Sequence, residues 1–391
     1  MVPTLRDIVA TLESRYDPML AEPWDAVGLV CGDPEVAIRR VMFAVDPVAS
    51  TVDEAIQARA DLLVTHHPLF LTGVHGVPAS DPKGRLVHQL ISAGCGLFVA
   101  HTNADRARPG VSDALAAVVG LGATDPLEPA NTTPLDKIIA FVPSGAAQRL
   151  VDALSEAGAG AIGDYSRSAF LNEGTGTFIP EPGANPVIGA IGSVAEVPES
   201  RIEMVFPRGR RDSVVRALRS VHPYEEPTYN IVALASLPST RQGLGRIGTL
   251  ERPQSLREFA AHVARGLPAT AGGVRMAGDP EREITTVAVC GGSGGSMIER
   301  ARVAGADAFL TSDLRHHIVS ESREMGDLSL LDAAHWATEW PWLGAAARLL
   351  RQDVADDMIQ VTVSSQRTDP WDVAAQATST QEAPDGGAGV W

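Results

Sequence analysis

Three short apolar runs, separated by helical patterns, constrain the fold of this 391-residue chain more than any other feature. The runs at 39–45, 61–65 and 96–100 have the length and composition of buried strands. Between them, 50–60 and 84–94 have the apolar spacing of helices that pack on a sheet. Strands that alternate with helices form a parallel sheet covered by helices. The sequence therefore predicts an α/β fold in this region.

A similar alternation returns near the C-terminus, with predicted strands at 285–290, 306–311 and 328–332 and a helix at 296–304. An offset of 246 residues aligns Val41 with Val287 and Thr65 with Thr311. Two copies of one structural unit explain this match, although units of this type share composition and a short match also arises by chance. In this alignment the histidine pair that follows Thr65 has no counterpart, because Ser and Asp follow Thr311.

The middle of the chain contains a second internal repeat with a different pattern. Residues 137–154 and 201–218 coincide at an offset of 64, and each reads as a strand, a proline-containing turn and an amphipathic helix. Strands predicted near 175–192 and 227–235 complete the β-α-β-β-α-β order of a ferredoxin-like fold. A small α+β domain is therefore predicted to be inserted in a larger α/β domain. From about Ser364 the chain is rich in small and polar residues, and it is predicted to be a disordered tail.

Composition excludes several classes of function. The net charge of -16 and the absence of a dense Lys/Arg run argue against general nucleic-acid binding. The three cysteines are far apart and form no paired motif, which disfavours a disulfide framework or a thiolate zinc site and favours a reducing cytoplasm. No window of about 18 uncharged apolar residues occurs, so no membrane span is predicted.

Histidines and carboxylates follow three of the predicted strands, at the edge where α/β sheets bind ligands. They are His66 and His67 after 61–65, His101 and Asp105 after 96–100, and His335 and Glu339 after 328–332. This set exceeds the needs of one tetrahedral ion, and it suits two divalent ions with a shared carboxylate. The mixed nitrogen and oxygen donors are compatible with Zn, Fe, Mn, Co or Ni. Two close ions lower the pKa of a shared water, so hydrolysis is the predicted chemistry.

Two prolines bear on the geometry of this predicted site. Pro68 keeps His67 out of the helical conformation, so the histidine pair is expected where the strand opens into a loop, binding one metal each or one together. Pro341 fits the first turn of a helix, which predicts that this helix begins near Thr338 with that residue as its N-cap. On this interpretation Glu339 lies in the first turn beside His335, and the two are not an i, i+4 pair within a helix.

Each of these motifs also has a structural interpretation. The "HHP" motif alone does not distinguish metal binding from a structural role, because short motifs match by chance, whereas the three strand ends together favour metal. A single histidine is more often structural, and His88, His222 and His262 are interpreted in this way. The Gly-rich segment 290–296 has no phosphate-binding motif and is interpreted as a tight turn. The "HPYEEPTYN" segment at 222–230 is interpreted as structural or regulatory.

The motifs taken together resemble the family of GTP cyclohydrolase 1 type 2 homologues, the YbgI-like or Nif-three-like dinuclear metal proteins. The resemblance covers about 1–130 and 243–365, and 131–242 resembles the ferredoxin fold of CutA and P-II-like proteins that longer members carry. The motifs that carry it are "PWDAVGLVCGD" (23–33), "THHPLF" (65–70), "AHTNAD" (100–105), "GGSGG" (291–295), "GADAFLTSDLRHH" (305–317) and "DAAHWATE" (332–339).

This resemblance implies a two-lobed α/β fold with lobes at 1–130 and 243–365, an insertion at 131–242 and a tail at 366–391. It also implies a toroidal homohexamer whose dinuclear sites face the interior. The ligands that it implies are His66, His67, Asp105, His335 and Glu339. His101 lies beside them by the same resemblance, and His317 is expected near the site. Either of these two histidines is a candidate proton shuttle.

The family name implies hydrolytic attack on C8 of the purine ring of GTP with release of formate. The sequence itself contains no recognisable guanine pocket or triphosphate clamp, so two broader hypotheses stay open. One is metal-dependent hydrolysis of another small anionic or cyclic substrate. The other is a non-enzymatic metal-binding chaperone or regulator, in which the inserted domain senses a ligand.

Overall fold

The computed structural model describes residues 2–131, 134–354 and 358–375. These residues divide into two compact units, of which one combines the described residues of 1–130 and 240–391 and the other those of 131–239. No helix in the described part of the chain is both long and apolar enough to cross a membrane.

The first half of the larger unit alternates strands and helices along the chain. Its helices are α1 (Leu5–Arg15), α2 (Ala49–Gln57), α3 (Pro82–Ser92), α4 (Thr102–Arg106) and α5 (Val111–Val118). Its strands are β1 (Gly28–Cys31), β2 (Arg40–Ala44), β3 (Leu62–Thr65), β4 (Gly96–Val99) and β5 (Leu121–Asn131). Every residue of β3 and β4 is buried, as expected for central strands covered on both faces.

The smaller unit has the predicted ferredoxin-like order. It consists of β6 (Leu135–Pro143), α6 (Ala147–Glu156), β7 (Phe170–Phe178), β8 (Ala195–Pro207), α7 (Arg211–Val221) and β9 (Tyr229–Ala233). The sheet order is β7-β8-β6-β9, and all of its pairs are antiparallel. The second strand was predicted too late, near 175–192, because the apolar residues of 179–194 lie in an exposed connection outside the sheet.

The last part of the chain repeats the alternation of the first half. It consists of β10 (Pro238–Ser255), α8 (Leu256–Gly266), β11 (Val274–Ala277), β12 (Glu283–Ser293), α9 (Ile298–Val303), β13 (Ala308–Ser312), α10 (His316–Glu324), β14 (Ser329–Ala333), α11 (His335–Val354) and β15 (Gln360–Val363).

The larger unit contains two mixed sheets with matching centres. One has the order β1-β4-β3-β2-β15 and the other the order β11-β14-β13-β12-β10-β5. Val41 of β2 pairs with Leu62 of β3, and Val287 of β12 pairs with Ala308 of β13, both in parallel. These two pairings coincide at the offset of 246 residues, which confirms the predicted repeat.

Helix α11 packs against elements of both halves of the larger unit, including α5 and α1 of the first half and β12 of the second. Its Trp342 is almost fully buried, with its ring centroid 5.5 Å from that of Tyr16 and 6.3 Å from that of Phe43. The indole Nε1–H of Trp342 donates a hydrogen bond of 3.2 Å to Oη of Tyr16. One hydrophobic core therefore joins the two halves, with α11 inside it.

An ion pair with a fully buried cation connects the two halves beside this core. The guanidinium of Arg246, on β10, donates to both carboxylate oxygens of Asp113, on α5, at 2.8 and 2.7 Å. It also donates to the carbonyl oxygens of Ala107, Gly243 and Gly245, each at 2.7 Å. The charge of Arg246 is thereby satisfied on every side, as a buried cation requires.

The segment after β15 differs from the predicted tail. Ser364 is buried, and the backbone N–H of Ser365 donates to Glu54 at 3.0 Å. The side chain of Thr368 bonds to Asp46, and Asp369 is 7% exposed. The prediction of disorder from residue 366 is therefore wrong for 366–369, because polar side chains of the first half bind this segment. The remainder of the predicted tail, from 376, lies outside the described residues.

We expect Arg246→Met to lower the free energy of unfolding of the larger unit by about 3 kcal/mol, because the substitution removes the buried cation from Asp113 and the N–H donors from three backbone carbonyls. Denaturant unfolding followed by tryptophan fluorescence measures this loss. Arg257→Met is the matched control, since the pair of Arg257 with Glu281 has exposed fractions of 61% and 71%. The control should lose no more than about 1 kcal/mol. Equal losses in both variants would contradict a central role for Arg246.

Candidate metal centre

His66 and His67 continue directly from β3 and remain attached to the neighbouring strand. Their backbone N–H groups donate to the carbonyls of Ala44 at 3.2 Å and Val45 at 2.9 Å. The two ring centroids lie 5.1 Å apart, so both imidazoles reach one cluster. The pair therefore lies where the strand opens into a loop, as predicted.

His101 follows β4 and approaches the same place from the next strand. Its ring centroid is 5.2 Å from that of His66 and 5.6 Å from that of His67. The ligating atoms of these three histidines all lie within 4.8 Å of one another. Asp105, on α4, has its Oδ1 3.7 Å from Nε2 of His66. The first half of the chain thus contributes three imidazoles and one carboxylate.

Helix α11 contributes the other residues, and it begins earlier than predicted. It starts at His335, so Pro341 lies inside the helix and Thr338 is not its N-cap. The hydroxyl of Thr338 instead donates to the carbonyl of His335 at 2.8 Å and accepts the backbone N–H of Gly292 at 2.9 Å. His335 and Glu339 are consequently an i, i+4 pair on one helical face, with 2.9 Å between Nε2 and Oε1.

Glu339 lies at the centre of the cluster and is 3% exposed. Its Oε1 is 3.4 Å from Nε2 of His66, and its Oε2 is 3.1 Å from Nε2 of His67. The ligating atoms of His67, His335 and Glu339 form a second group within 4.8 Å. One carboxylate is therefore shared by imidazoles from both halves of the chain.

Each of the four imidazoles is oriented through its Nδ1. Nδ1 of His66 lies 2.9 Å from the carbonyl oxygen of Ala100. For the other three histidines the partner is a carboxylate oxygen at 2.7 Å: Asp46 for His67, Asp25 for His101 and Asp313 for His335. Such contacts fix the ring and its tautomer, leaving Nε2 free to bind a metal. Asp25 is itself fixed by the backbone N–H of Thr102 at 3.0 Å.

Two buried atoms of the cluster make no hydrogen bond within the described part of the chain: Nε2 of His66 and Oε2 of Glu339. The approach of His67 to Oε2 of Glu339 lacks hydrogen-bond geometry, although it is short. Buried polar atoms without partners are rare in folded proteins. A divalent cation between them would satisfy both, since neutral imidazole and carboxylate are metal ligands of the borderline type. The donor set therefore fits a metal centre.

Mutual attraction determines the protonation of this cluster in the metal-free protein. Burial raises the pKa of Glu339, but the charges of His67, His66 and His335 outweigh it and hold that pKa well below its usual range. Burial lowers the pKa of the imidazoles, and the charge of Glu339 outweighs it, raising the pKa of His67 to about 11 and that of His335 to about 9. Burial raises the pKa of Asp105.

Gly292 provides the space that Glu339 occupies. It has a φ of +67°, which favours glycine, and a Cβ at this position would lie 2.4 Å from Oε1 of Glu339 and 3.2 Å from Nε2 of His335. The tight turn predicted for 290–296 is present, and its function here is to leave room for the two side chains.

His317 is not among the residues that the structure brings together. It lies exposed on α10, and its ring contacts that of His316 at 5.2 Å. Within the described residues no hydrogen bond or ring contact connects His317 to the cluster. His222, which was interpreted as structural, is buried in the smaller unit, where its Nε2 lies 2.9 Å from the carbonyl oxygen of Phe141.

Sequence reasoning missed the carboxylates that orient the histidines. Asp46 lies just beyond β2 and Asp313 just beyond β13, so their positions at strand ends were a usable signal. Asp313 aligns with His67 at the offset of 246 residues, and Asp46 aligns with Gly292. Asp25 lies in a loop that follows no central strand and had no comparable signal.

Comparison with protein families and curated relatives gives one consistent result. The model of the Duf34/NIF3 (NGG1p interacting factor 3) family matches residues 3–370. A relative from Mycobacterium leprae, named GTP cyclohydrolase 1 type 2 homolog, is 48% identical over 373 residues, covering 95% of this chain and 96% of the relative. A relative of the same name from Streptomyces coelicolor is 39% identical over 384 residues, covering 98% of both chains.

Solved structures with the same fold cover nearly the whole chain. A Bacillus cereus protein related to NIF3 is 33% identical, with a TM-score of 0.75 over 96% of this chain and 100% of its own. A Staphylococcus aureus protein is 27% identical, with a TM-score of 0.80 over the same shares.

We expect Gly292→Ala to lower the metal content of the folded protein, because the added methyl group collides with Glu339 and the left-handed backbone is strained by about 1 kcal/mol. Elemental analysis after reconstitution with Zn²⁺ measures the content. Gly295→Ala is the control in the same turn, since its nearest neighbours to an added Cβ lie at 3.6 and 3.8 Å. Full metal content in the Gly292 variant would contradict the proposed position of the ions.

The apparent affinity of the protein for Zn²⁺ should continue to increase between pH 7 and pH 8. The raised pKa values mean that His67 and His335 hold protons at neutral pH, and a metal ion must displace them, so affinity increases up to about 10-fold per pH unit for each proton released. Competition with a chelating dye measures this rise. For histidines of ordinary pKa near 6.5, the affinity would level off at about pH 7, and that result would contradict the electrostatic coupling to Glu339.

Proposed function

Because the chain belongs to the Duf34/NIF3 family, we propose that it is a hydrolase that depends on two divalent metal ions and opens a cyclic C–N bond in a purine nucleotide or a similar small substrate. The observation that carries the proposal is the pair of buried atoms without hydrogen bonds, Nε2 of His66 and Oε2 of Glu339, within a cluster of four imidazoles and two carboxylates. Buried polar atoms without hydrogen bonds are rare in folded proteins, and two of them in one cluster favour a bound ion.

Under this proposal Glu339 would be a ligand of both ions. His66 and Asp105 would complete the site of one ion, and His67 and His335 that of the other. Nε2 of His66, His67 and His335 all lie between 2.9 and 3.4 Å from the carboxylate of Glu339, which supports Glu339 as the ligand common to both ions. Zn, Fe, Mn, Co and Ni all suit these donors, whereas the absence of a thiolate disfavours a soft-metal site.

Two ions held there would act as Lewis acids and lower the pKa of a bound water. For a purine substrate, water adds to C8 and the bond from C8 to a ring nitrogen breaks, giving a formamide. A second water hydrolyses this formamide to formate and an amine. We propose that His101 moves a proton in these steps, because its Nδ1 lies 2.7 Å from Asp25 and its ligating nitrogen lies within 4.8 Å of those of His66 and His67.

Purine nucleotide is proposed as the substrate class because curated relatives bear the name GTP cyclohydrolase 1 type 2 homolog. We further propose that the chain assembles as a homohexamer, as its resemblance to the family implies. A cytoplasmic location is proposed from the three free cysteines, Cys31, Cys95 and Cys290, which form no disulfide in this fold.

The metal-loaded protein should release formate from GTP, and His66→Ala/His335→Ala should lose both ions and at least about 100-fold of this activity, since one ligand of each ion is removed. Formate is assayed by coupling to formate dehydrogenase, and metal by elemental analysis. The matched control is His88→Ala/His262→Ala, which removes two histidines outside the cluster and should retain the activity within about 3-fold.

Two metal ions without formate release would refute GTP as the substrate and favour the metal-binding regulator. Absence of metal after reconstitution with Zn²⁺, Mn²⁺ or Fe²⁺ would refute the proposal altogether. Native mass spectrometry of the same preparations tests the hexamer separately, so assembly and activity can fail independently.

A further inference from the structure

The segment that follows β15 returns to the metal cluster, and we refer to residues 364–375 as the C-terminal strap. The strap is anchored by polar contacts with the first half of the chain. The backbone N–H of Ser364 donates to the carbonyl of Phe43 at 2.7 Å, and the hydroxyl of Ser365 donates to Glu54 at 2.7 Å. These contacts fix the start of the strap at the carboxyl end of β2.

Further along, the strap contacts a residue that orients a candidate metal ligand. The hydroxyl of Thr368 donates to Oδ2 of Asp46, while Oδ1 of the same carboxylate lies 2.7 Å from Nδ1 of His67. Asp46 thus connects the strap to the metal cluster through one side chain. The residues that come next in the strap are consequently held close to this cluster.

The strap forms one wall of a cavity of about 520 Å³ that opens beside the metal cluster. Its opposite wall contains His335 and Asp313, together with Gly272 and Arg275. The strap contributes Asp369, Pro370, Trp371, Val373 and Ala374. Such a cavity is within the size range of sites for small molecules. A molecule bound here would lie against His335.

Asp369 is the feature of this cavity that points to a ligand. It is 7% exposed, and its Oδ2 is buried without a hydrogen-bond partner among the described residues. The other two carboxylates around the cavity have partners, since Asp313 contacts His335 and Asp332 contacts Arg275. A buried carboxylate without a donor is costly, so the position favours a ligand that brings N–H donors.

Trp371 supplies the apolar part of the same wall. Its side chain is 70% exposed, although it lines a cavity beside the cluster. An exposed indole offers a flat face on which a planar ring can stack, and such stacking contributes about 1–3 kcal/mol per base. The cavity therefore combines a flat apolar surface with one unpaired acceptor.

We propose that Asp369 and Trp371 recognise the substrate, and that the group they recognise is a planar nitrogen heterocycle with adjacent N–H donors. The ring would stack on Trp371 and donate to Asp369, with its opposite edge towards His335. This inference rests on the proposed function. A 2-amino-6-oxopurine meets the description, because its N1–H and 2-amino group lie at the far end of the ring from C8.

The test compares two nucleotides that differ only in the 2-amino group, guanosine and inosine 5′-monophosphate, by calorimetric binding to the Zn²⁺-loaded protein. Asp369→Asn should weaken binding of the guanosine nucleotide at least about 10-fold, because its amide cannot accept both donors, and binding of the inosine nucleotide less. Trp371→Ala should weaken both about 10-fold through lost stacking. Asp53→Asn is the control, since Asp53 is exposed on α2 and outside the cavity wall.

If Asp369→Asn weakens the binding of both nucleotides equally, or of neither, the assignment of Asp369 is overturned. Unchanged binding of both nucleotides in Trp371→Ala would overturn the assignment of Trp371. No binding of either nucleotide to the wild type would overturn the purine class. Circular dichroism and metal content verify that each variant is folded and loaded. Because the test measures binding and not formate, selective loss of binding in Asp369→Asn would stand even if formate release failed. If the wild type releases formate but Asp369→Asn keeps the nucleotide preference of the wild type, this inference alone is overturned and the proposed function stands.

Discussion

The structure of the candidate site depends on one buried carboxylate. Glu339 is removed from water, and burial alone would favour its protonated form. Three imidazoles compensate for the lost hydration, and they come from two distant parts of the chain, β3 and the start of α11. The ionised carboxylate in turn raises the pKa of His67 and His335. This mutual dependence explains why the cluster suits cations, which can take the place of the protons on the imidazoles.

The position of Glu339 follows from the packing of α11. Trp342, one turn further along the helix, is fixed between Tyr16 and Phe43 of the first half, and the centroid of its ring lies 5.4 Å from that of His66. Thr338 connects the same helix to the second half, because its hydroxyl forms hydrogen bonds with the backbone N–H of Gly292 and the hydroxyl of Ser312. Because the contacts of Trp342 and Thr338 both lie within the first two turns of the helix, the first turn of α11 has little freedom to move. The ion pair of Arg246 with Asp113 holds the two halves together nearby.

The internal repeat explains both the resemblance and the difference between the halves. Thr65 and Thr311 correspond at the offset of 246 residues, and both hydroxyls donate to backbone carbonyls, of His67 and Gly292 respectively. Asp46 orients His67 in the first half, whereas its counterpart Gly292 leaves the space that Glu339 fills. Histidines follow β3 in the first half, but the second half presents Asp313 there, which orients His335. The two halves have therefore become complementary parts of one site.

Much of this could be predicted from the sequence, because strand and helix patterns and residues at strand ends are local properties. The alternation of elements, both internal repeats and the cluster of His66, His67, His101, Asp105, His335 and Glu339 belong to this class, since the ends of parallel strands meet at one edge of a sheet. The start of α11 was predicted wrongly, because Pro341 is usually found in a first turn, and here tertiary contacts of Thr338 and Trp342 stabilise the helix on both sides of the proline. The orienting carboxylates Asp25, Asp46 and Asp313, the space at Gly292 and the return of Asp369 to the cluster were decided only by the tertiary structure. Each depends on contacts between residues that are distant in the chain, and no local pattern encodes such distances.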